Sequence, residues 1–325
     1  MRTSRSGSIV DMNMHAKAAR EVLRRLVHRG HSPEPVSLTT LRNVPGPLGE
    51  IVRHRAEQYL PGGAVTPTTL FEAWDAERFG ELTSTYFTAT TPRPSFRAAI
   101  TTYWSNTAMA GGDVQLSVIA ELQRKGQQDT TFNAVETARR YEAAGAAALS
   151  VLTEETNFSG SLRDLGAVAA ESPLPILRKD FVVHPLQIFG ARLAGASAVL
   201  LITVVLQEQL KPYIQFARAV GLEPVVEVHD EAEFALAAHA GADIIDINNR
   251  HLVTGHTDVH MAVRVAEFAR KAQFRGLITA ESGYRTAADL HGLHDLIDAV
   301  LLGPRFLGEN TPEHALASVF RRDNA

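Results

Sequence analysis

From residue 117 onward the chain alternates short apolar runs with longer stretches of helical period. The apolar runs are 117–122, 147–152, 175–179, 198–202, 223–228, 243–248, 276–281 and 299–303. Such short, near-continuous runs mark strands covered on both faces, as in a parallel sheet. The stretches between them, among them 134–144, 185–194, 207–220, 231–240 and 259–271, carry the spacing of amphipathic helices. Several helical stretches exit through a Gly-Ala pair: Gly145-Ala146, Gly195-Ala196 and Gly241-Ala242. Glycine there tolerates the left-handed position that ends a helix. Eight strand–helix units in about two hundred residues predict an α/β protein built as a (β/α)8 barrel. A doubly wound dinucleotide fold would place GxGxxG after its first strand, and residues 123–128 do not supply it.

Before residue 112 the pattern is irregular. "HSPEPVSLTTLRNVPGPLGE" and "LPGGAVTPTTL" read as loops, with helical stretches at 48–59 and 70–79. The expected organisation is an extended, mostly helical N-terminal region, 1–110, followed by a barrel domain, 111–325. In "FEAWDAERFGEL" the aromatic Phe71, Trp74 and Phe79 suit core packing, with a partner surface as the second use. A homo-oligomer or an enzyme partner through residues 1–110 stays open.

Composition narrows the function. The absence of cysteine excludes disulfides, thiolate zinc sites and cysteine nucleophiles. A net charge of -4 gives no basic footprint for nucleic acid. No apolar run approaches the ~20 residues that cross a bilayer, so no membrane role is expected. Residues 1–32 hold seven Lys/Arg against Asp11 and Glu21, a balance also found in transit peptides. "MHAKAAREVLRRLVHRG" nevertheless reads as an ordinary amphipathic helix with Val22, Leu23, Leu26 and Val27 near one face, and a cytoplasmic location is expected.

Function in such barrels gathers at the C-terminal ends of the strands. There the sequence places Glu121 and Gln123 (strand 1), Lys179 (strand 3), Glu227 and His229 (strand 5), Asn248 and Arg250 (strand 6), and Glu281 (strand 7). Strand alternation turns Lys179 and the carboxylates Glu121, Glu227 and Glu281 inward together. Buried charges of this kind are paired or take part in chemistry. Arg178 and Asp180 point away from Lys179 by the same alternation and read as a structural ion pair. Ser282 and Gly283 in "ESGYRT", and Gly303 in "LLGPRF", stand at turns before helices, where backbone N–H groups bind phosphate. His256 and His260 are four apart, but no third ligand accompanies them, so no metal site is expected.

Residues 117–320 resemble the indole-3-glycerol phosphate synthase family. The resemblance rests on "VIAE", "AALSVLTEETNFSGSL", "PILRKDFVVHPLQIFGARLAGASAVLLI", "VVEVHDEAEFALAAHAGADIIDINNRHL" and "ESGYRTAADL", in family order, with "LRKDF" and "INNR" the most specific. "RPSFRAAI" at 93–100 echoes the segment before the family's barrel, while residues 1–90 show no recognised counterpart. The family closes an indole ring: 1-(2-carboxyphenylamino)-1-deoxyribulose 5-phosphate, a small phosphorylated substrate, loses carbon dioxide and water. The resemblance implies Lys179 as principal acid and Glu227 as base or cation stabiliser. It places Glu121, Asn248 and Glu281 along the substrate, Arg250 in support at the rim, and phosphate at Ser282, Gly283 and Gly303. It implies no metal and no organic cofactor.

The sequence departs from the family where the substrate ends are held. Gln123 stands where the family has lysine, Gly126 where it has a serine, and Pro304 where it has a small hydroxyl residue. Each lost charge-assisted hydrogen bond is worth ~1.5–3 kcal/mol of binding. Three readings follow. One is a divergent synthase in which Arg124 or Lys125 replaces the missing charge. Another is a paralogue acting on a related phosphorylated amino-ketose in a specialised pathway. The third is a non-catalytic barrel that binds a partner through its N-terminal region. The loss of lysine at Gln123 also predicts a higher pKa for Glu121 than in a lysine-bearing relative.

Overall fold

The computed structural model describes residues 33–59, 93–109, 116–124, 131–290, 293, 295–303 and 306. The helices expected within "MHAKAAREVLRRLVHRG" and "FEAWDAERFGEL", and the residues Lys125, Gly126 and Pro304, lie outside this set.

The elements, in order, are α1 (Leu38–Arg42), α2 (Gly46–Tyr59), α3 (Phe96–Met109), β1 (Ser117–Leu122), α4 (Ala134–Ala143), β2 (Ala148–Leu152), α5 (Leu162–Glu171), β3 (Ile176–Lys179), α6 (Pro185–Leu193), β4 (Ala198–Ile202), α7 (Thr203–Leu206), α8 (Leu210–Ala219), β5 (Glu223–Val228), α9 (Glu231–His239), β6 (Ile244–Asn248), α10 (His260–Lys271), β7 (Leu277–Glu281) and β8 (Ala299–Leu302). All eight strands are parallel neighbours in sequence order, and β8 pairs with β1 to close the barrel. The expected (β/α)8 barrel is therefore the fold, with strand ends within one residue of the apolar runs.

Local chemistry explains the punctuation. The Asn133 side chain accepts from Glu136 N–H and starts α4, and Asp230 accepts from Glu233 N–H and starts α9. His184 and Gln187 form a reciprocal cap ahead of α6, with Pro185 at its first position. Gly145, Gly195 and Gly241 take φ of 96°, 91° and 89°, the left-handed exit predicted for them. The stretch 207–220 does not begin as α-helix. Gln207 has φ 47°, so a 3-10 turn over Gln207–Gln209 precedes α8. Helix α5, not among the periodic stretches above, has Gly166 and three alanines that thin its apolar stripe.

Two N-terminal helices engage opposite ends of the barrel. At the bottom, Glu223 at the start of β5 accepts from Ser95 Oγ and Arg97 N–H, both at 2.6 Å. The Ser117 hydroxyl of β1 donates to the Ile100 carbonyl, and Phe96 and Ile100 are fully buried. Helix α2 instead reaches the C-terminal end of β3. Leu48, Val52 and Ala56 form its buried stripe and join the same hydrophobic cluster as the barrel. Residues 33–59 thus share the barrel's core. Among the described residues no helix is long and apolar enough to cross a membrane.

Candidate active site

A cavity of about 510 Å³ opens at the C-terminal end of the strands. Odd-numbered strands supply its charges: Glu121 from β1, Lys179 from β3, Glu227 from β5 and Glu281 from β7. Even-numbered strands supply mostly apolar wall, including Leu152, Leu200, Ile202 and Leu301, with Asn248 of β6 the polar exception. Register accounts for this division. Asn248 is paired with Glu281, Glu227 with Asp246, and Leu152 with Lys179, so the strand ends stand level around the mouth.

Lys179 donates to Glu281 Oε2 in a partly buried ion pair. Burial pulls the lysine ammonium down, but Glu281, Glu227, Glu121 and Asp246 together outweigh it and raise its pKa. Lys179 therefore holds its proton at neutral pH and has one to give. Glu227 is buried and accepts from Asn248 Nδ2 at 3.0 Å. Burial alone would raise its carboxyl, yet His229, Lys179 and Asn248 lower it below the ordinary range. Glu281 goes the other way: burial outweighs Lys179 and raises it. Two carboxylates facing one lysine are thus driven apart in acidity, the arrangement that divides acid and base roles.

Glu121 is buried, and its Oε2 has no hydrogen-bond partner among the described residues. Burial first, with Glu281 and Glu227 adding, pushes its pKa up to about 7 against the pull of Lys179 and Arg250. Gln123 lines the same cavity two residues on. Replacing it by lysine puts a cation on the same side of the strand. Gln123→Lys is accordingly expected to lower the Glu121 value from about 7, as read by carboxyl-carbon NMR titration. A Glu121 titration identical in both proteins would count against this assignment.

Arg124 does not replace the missing charge. It pairs with Asp164 of α5 at 2.6 Å and stacks over Phe132 at 4.8 Å, outside the main cavity. A partner 40 residues away in an unanticipated helix redirects it. Arg250 and Arg285 do line the cavity, Arg250 at the end of β6 and Arg285 beyond β7.

The turn after β7 is strained. Ser282 has φ 69° and Gly283 has φ 89°, so two successive residues are left-handed. A side chain on Gly283 would meet Thr257 at 2.8 Å and Val259 at 2.9 Å. Asn249 holds the turn, donating to the Ser282 carbonyl at 3.0 Å and accepting from Ala262 N–H at 2.9 Å. At the end of the neighbouring strand β8, a Cβ on Gly303 would lie 3.1 Å from Glu121 Oε1. Ser282, Gly283 and Gly303 all line the cavity, leaving backbone room for an anionic group beside Arg285.

Arg178 and Asp180 form the expected buried ion pair, at 2.8 Å, away from Lys179. Asp180 also binds Arg55 of α2, at 2.6 and 3.1 Å, and accepts from Thr153 at 2.7 Å. Burial would raise the Asp180 carboxyl, but Arg178 and Arg55 hold it below the ordinary range. This cluster fixes the backbone on either side of Lys179. Removing one partner of a buried pair costs ~3–5 kcal/mol. Arg55→Ala is expected to destabilise the fold by roughly that amount in denaturant titration; a change below about 1 kcal/mol, the level of a surface pair, would show that the pair contributes little.

Some site residues escaped the sequence reading. Asp246 lies two residues below Asn248, on the same face of β6, and is fully buried. Its Oδ1 accepts from Thr279 at 2.6 Å, and its Oδ2 has no partner among the described residues. Burial and Glu281 raise its pKa well above the usual carboxylate range. Carboxylate oxygens of Glu227, Asp246 and Glu281 lie within 4.8 Å of one another, and Lys179 supplies the counter-charge. Alternation along β6 could have revealed Asp246; nothing in the sequence pointed to Arg55. His256 and His260 are exposed, as expected, with His256 in a loop ahead of α10.

A sequence profile described as indole-3-glycerol phosphate synthase matches residues 89–319. The indole-3-glycerol phosphate synthase of Deinococcus radiodurans is 36% identical over 285 residues, 87% of this chain and 97% of that protein. The chain belongs to the indole-3-glycerol phosphate synthase family. Among further synthases, that of Listeria monocytogenes is 41% identical over 63% of this chain and 82% of its own length. That of Leptospira interrogans is 38% identical over the same shares. The Deinococcus synthase aligns over more of the chain than residues 91–325 contain, so part of the first 90 residues has a counterpart after all. A solved 3-hexulose-6-phosphate synthase superposes with a TM-score of 0.50 at 16% identity, covering 63% of this chain and 97% of that one, and speaks for the fold alone.

Proposed function

We propose that this barrel closes the indole ring of 1-(2-carboxyphenylamino)-1-deoxyribulose 5-phosphate, with loss of carbon dioxide and water, in tryptophan biosynthesis. The observation that carries the assignment is a protonated Lys179 beside a Glu227 held as an anion, in one cavity with apolar walls.

The chemistry sets the proton inventory. The aryl carbon bearing the carboxylate attacks the ketone carbon, and the ketone oxygen takes a proton. Breaking the carbon–carboxylate bond releases carbon dioxide and restores the aromatic ring. The new hydroxyl then leaves as water with a second proton, and the neighbouring methylene gives one up. Two protons go onto oxygen and one comes off carbon, which needs both acid and base. Lys179 donates to the ketone oxygen. Glu227, oriented by Asn248, takes the methylene proton. Glu121, whose carboxyl is pushed up to about 7, is the second acid. Glu281 steadies the Lys179 ammonium.

Ser282, Gly283 and Gly303 receive the phosphate, and Gln123, Arg250 and Arg285 face the polar ends of the substrate. Leu152, Phe158 and Phe181 offer the aromatic ring an apolar wall. Residues 111–325 form the catalytic domain, while α2, within residues 1–110, braces the end of β3. The test is rescue of a bacterial strain that lacks its own synthase. The chain is expected to restore growth without tryptophan, and Lys179→Ala is not. Failure of the unmodified chain, when expressed and folded, would favour a related amino-ketose as substrate.

A further inference from the structure

Behind Glu227 lies a second layer of charge that the reaction as described does not use. His229 follows Glu227 by two residues on β5 and is buried. Its Nε2 stands 3.3 Å from Glu227 Oε1, close enough for ion pairing although not aligned as a hydrogen bond. Its Nδ1 lies 3.0 Å from Glu233 Oε2 in the first turn of α9. The same Glu233 oxygen also accepts the His229 backbone N–H at 3.0 Å. The Glu233 backbone N–H in turn donates to the Asp230 side chain at 2.7 Å, which anchors this residue in the capped first turn of the helix. The ring of His251 packs on His229 with centroids 5.8 Å apart.

A histidine this deep would ordinarily stay neutral, because burial disfavours its charged form. Here burial is outweighed by two carboxylates, Glu227 and Glu233, one at each ring nitrogen, and the pKa is pushed up to about 10. Among the described residues, the other titratable groups around Glu227 are Lys179 on β3, Asp246 on β6, Glu281 on β7 and Glu121 on β1. Three of these are carboxyl groups that favour its protonation. Lys179 opposes them but is itself drawn to Glu281.

We propose that Glu233 and His229 form a positioning pair behind the catalytic base: Glu233 keeps the imidazole charged, and the imidazolium holds Glu227 as an oriented anion. Neither residue meets the substrate; neither lines the cavity. The logic is that of outer-shell groups that fix a working side chain in one orientation and charge state. The inference rests on Glu227 being the base, so its test includes a readout independent of turnover.

Wild type, His229→Asn and Glu233→Gln are compared as full chains. The acid limb of the kcat/KM profile is expected to move up by about one pH unit in His229→Asn and by less in Glu233→Gln, with KM nearly unchanged. A merely structural histidine would lower activity evenly across pH. An acid limb that stays in place in both variants overturns the proposal. Glu233 is half-buried at a helix start, so Glu233→Gln keeps the test alive if His229→Asn fails to fold. In parallel, the His229 ring is titrated by NMR in the wild-type protein without substrate. Protonation through neutral pH is expected; titration near the ordinary histidine value of about 6.5 overturns the proposal even if indole formation is confirmed.

Discussion

Lys179→Ala is expected to lower kcat for indole formation by ~10²–10⁴-fold, the range for removing a general acid, with KM changed far less. The ketone cannot be attacked by an aryl carbon unless its oxygen is polarised, and Lys179 has the acidic environment to stay protonated while doing so. Alanine removes the donor and leaves Glu281 without its ion-pair partner. Lys179→Arg separates charge from geometry. It keeps a cation but replaces a compact ammonium with a planar fork that does not readily give up its proton. Activity near wild type in Lys179→Arg would point to electrostatic stabilisation rather than proton donation. A KM effect alone in Lys179→Ala would reduce the residue to a binding group.

Glu227→Gln carries the second large effect, again ~10²–10⁴-fold in kcat. The amide nearly preserves the shape of the side chain, so substrate binding should survive. What disappears is the proton acceptor. Because Glu227 is held below the ordinary carboxylate range, the wild-type base is available throughout the neutral range, and the acid limb of activity should appear only where acid protonates it. If the dehydration step needs Glu227, the ring-closed, decarboxylated intermediate should accumulate in Glu227→Gln under single-turnover conditions and be visible by mass. Normal turnover in this variant would move the base elsewhere, with Glu281 the next candidate; it is raised rather than lowered and so suits an acid better.

Much of this site was legible because parallel strands force it to be. A strand buried on both faces shows as an apolar run, and its alternation says which polar residue at the end turns inward. Lys179 and Glu227 were found that way, as were the outward turn of Arg178 and Asp180 and their pairing. Asp246 obeys the same rule but sits one layer lower, beneath the residues sought at the strand ends. Other features depend on contacts that no local pattern carries. Arg55 meets Asp180 across 125 residues, from a segment whose periodicity says only helix. Arg124 was a candidate to replace the family lysine, and only the position of Asp164 on α5 shows that it turns away. The charge state of Lys179 depended on whether carboxylates or apolar walls dominate its surroundings, a balance that requires the packed structure.

Gln123 is where this chain departs most from its family. The family's cation is absent there, and Arg124 is committed to Asp164. Among the described residues the cations at the cavity are Lys179, Arg250 and Arg285, and the Glu121 carboxyl is raised to about 7. The most direct measurement uses 1-(2-carboxyphenylamino)-1-deoxyribulose 5-phosphate labelled with ¹³C at the carboxylate and the purified, unmodified chain. The account predicts one labelled carbon dioxide released for each indole-3-glycerol phosphate formed. Saturable binding of the labelled compound with neither product appearing would contradict it.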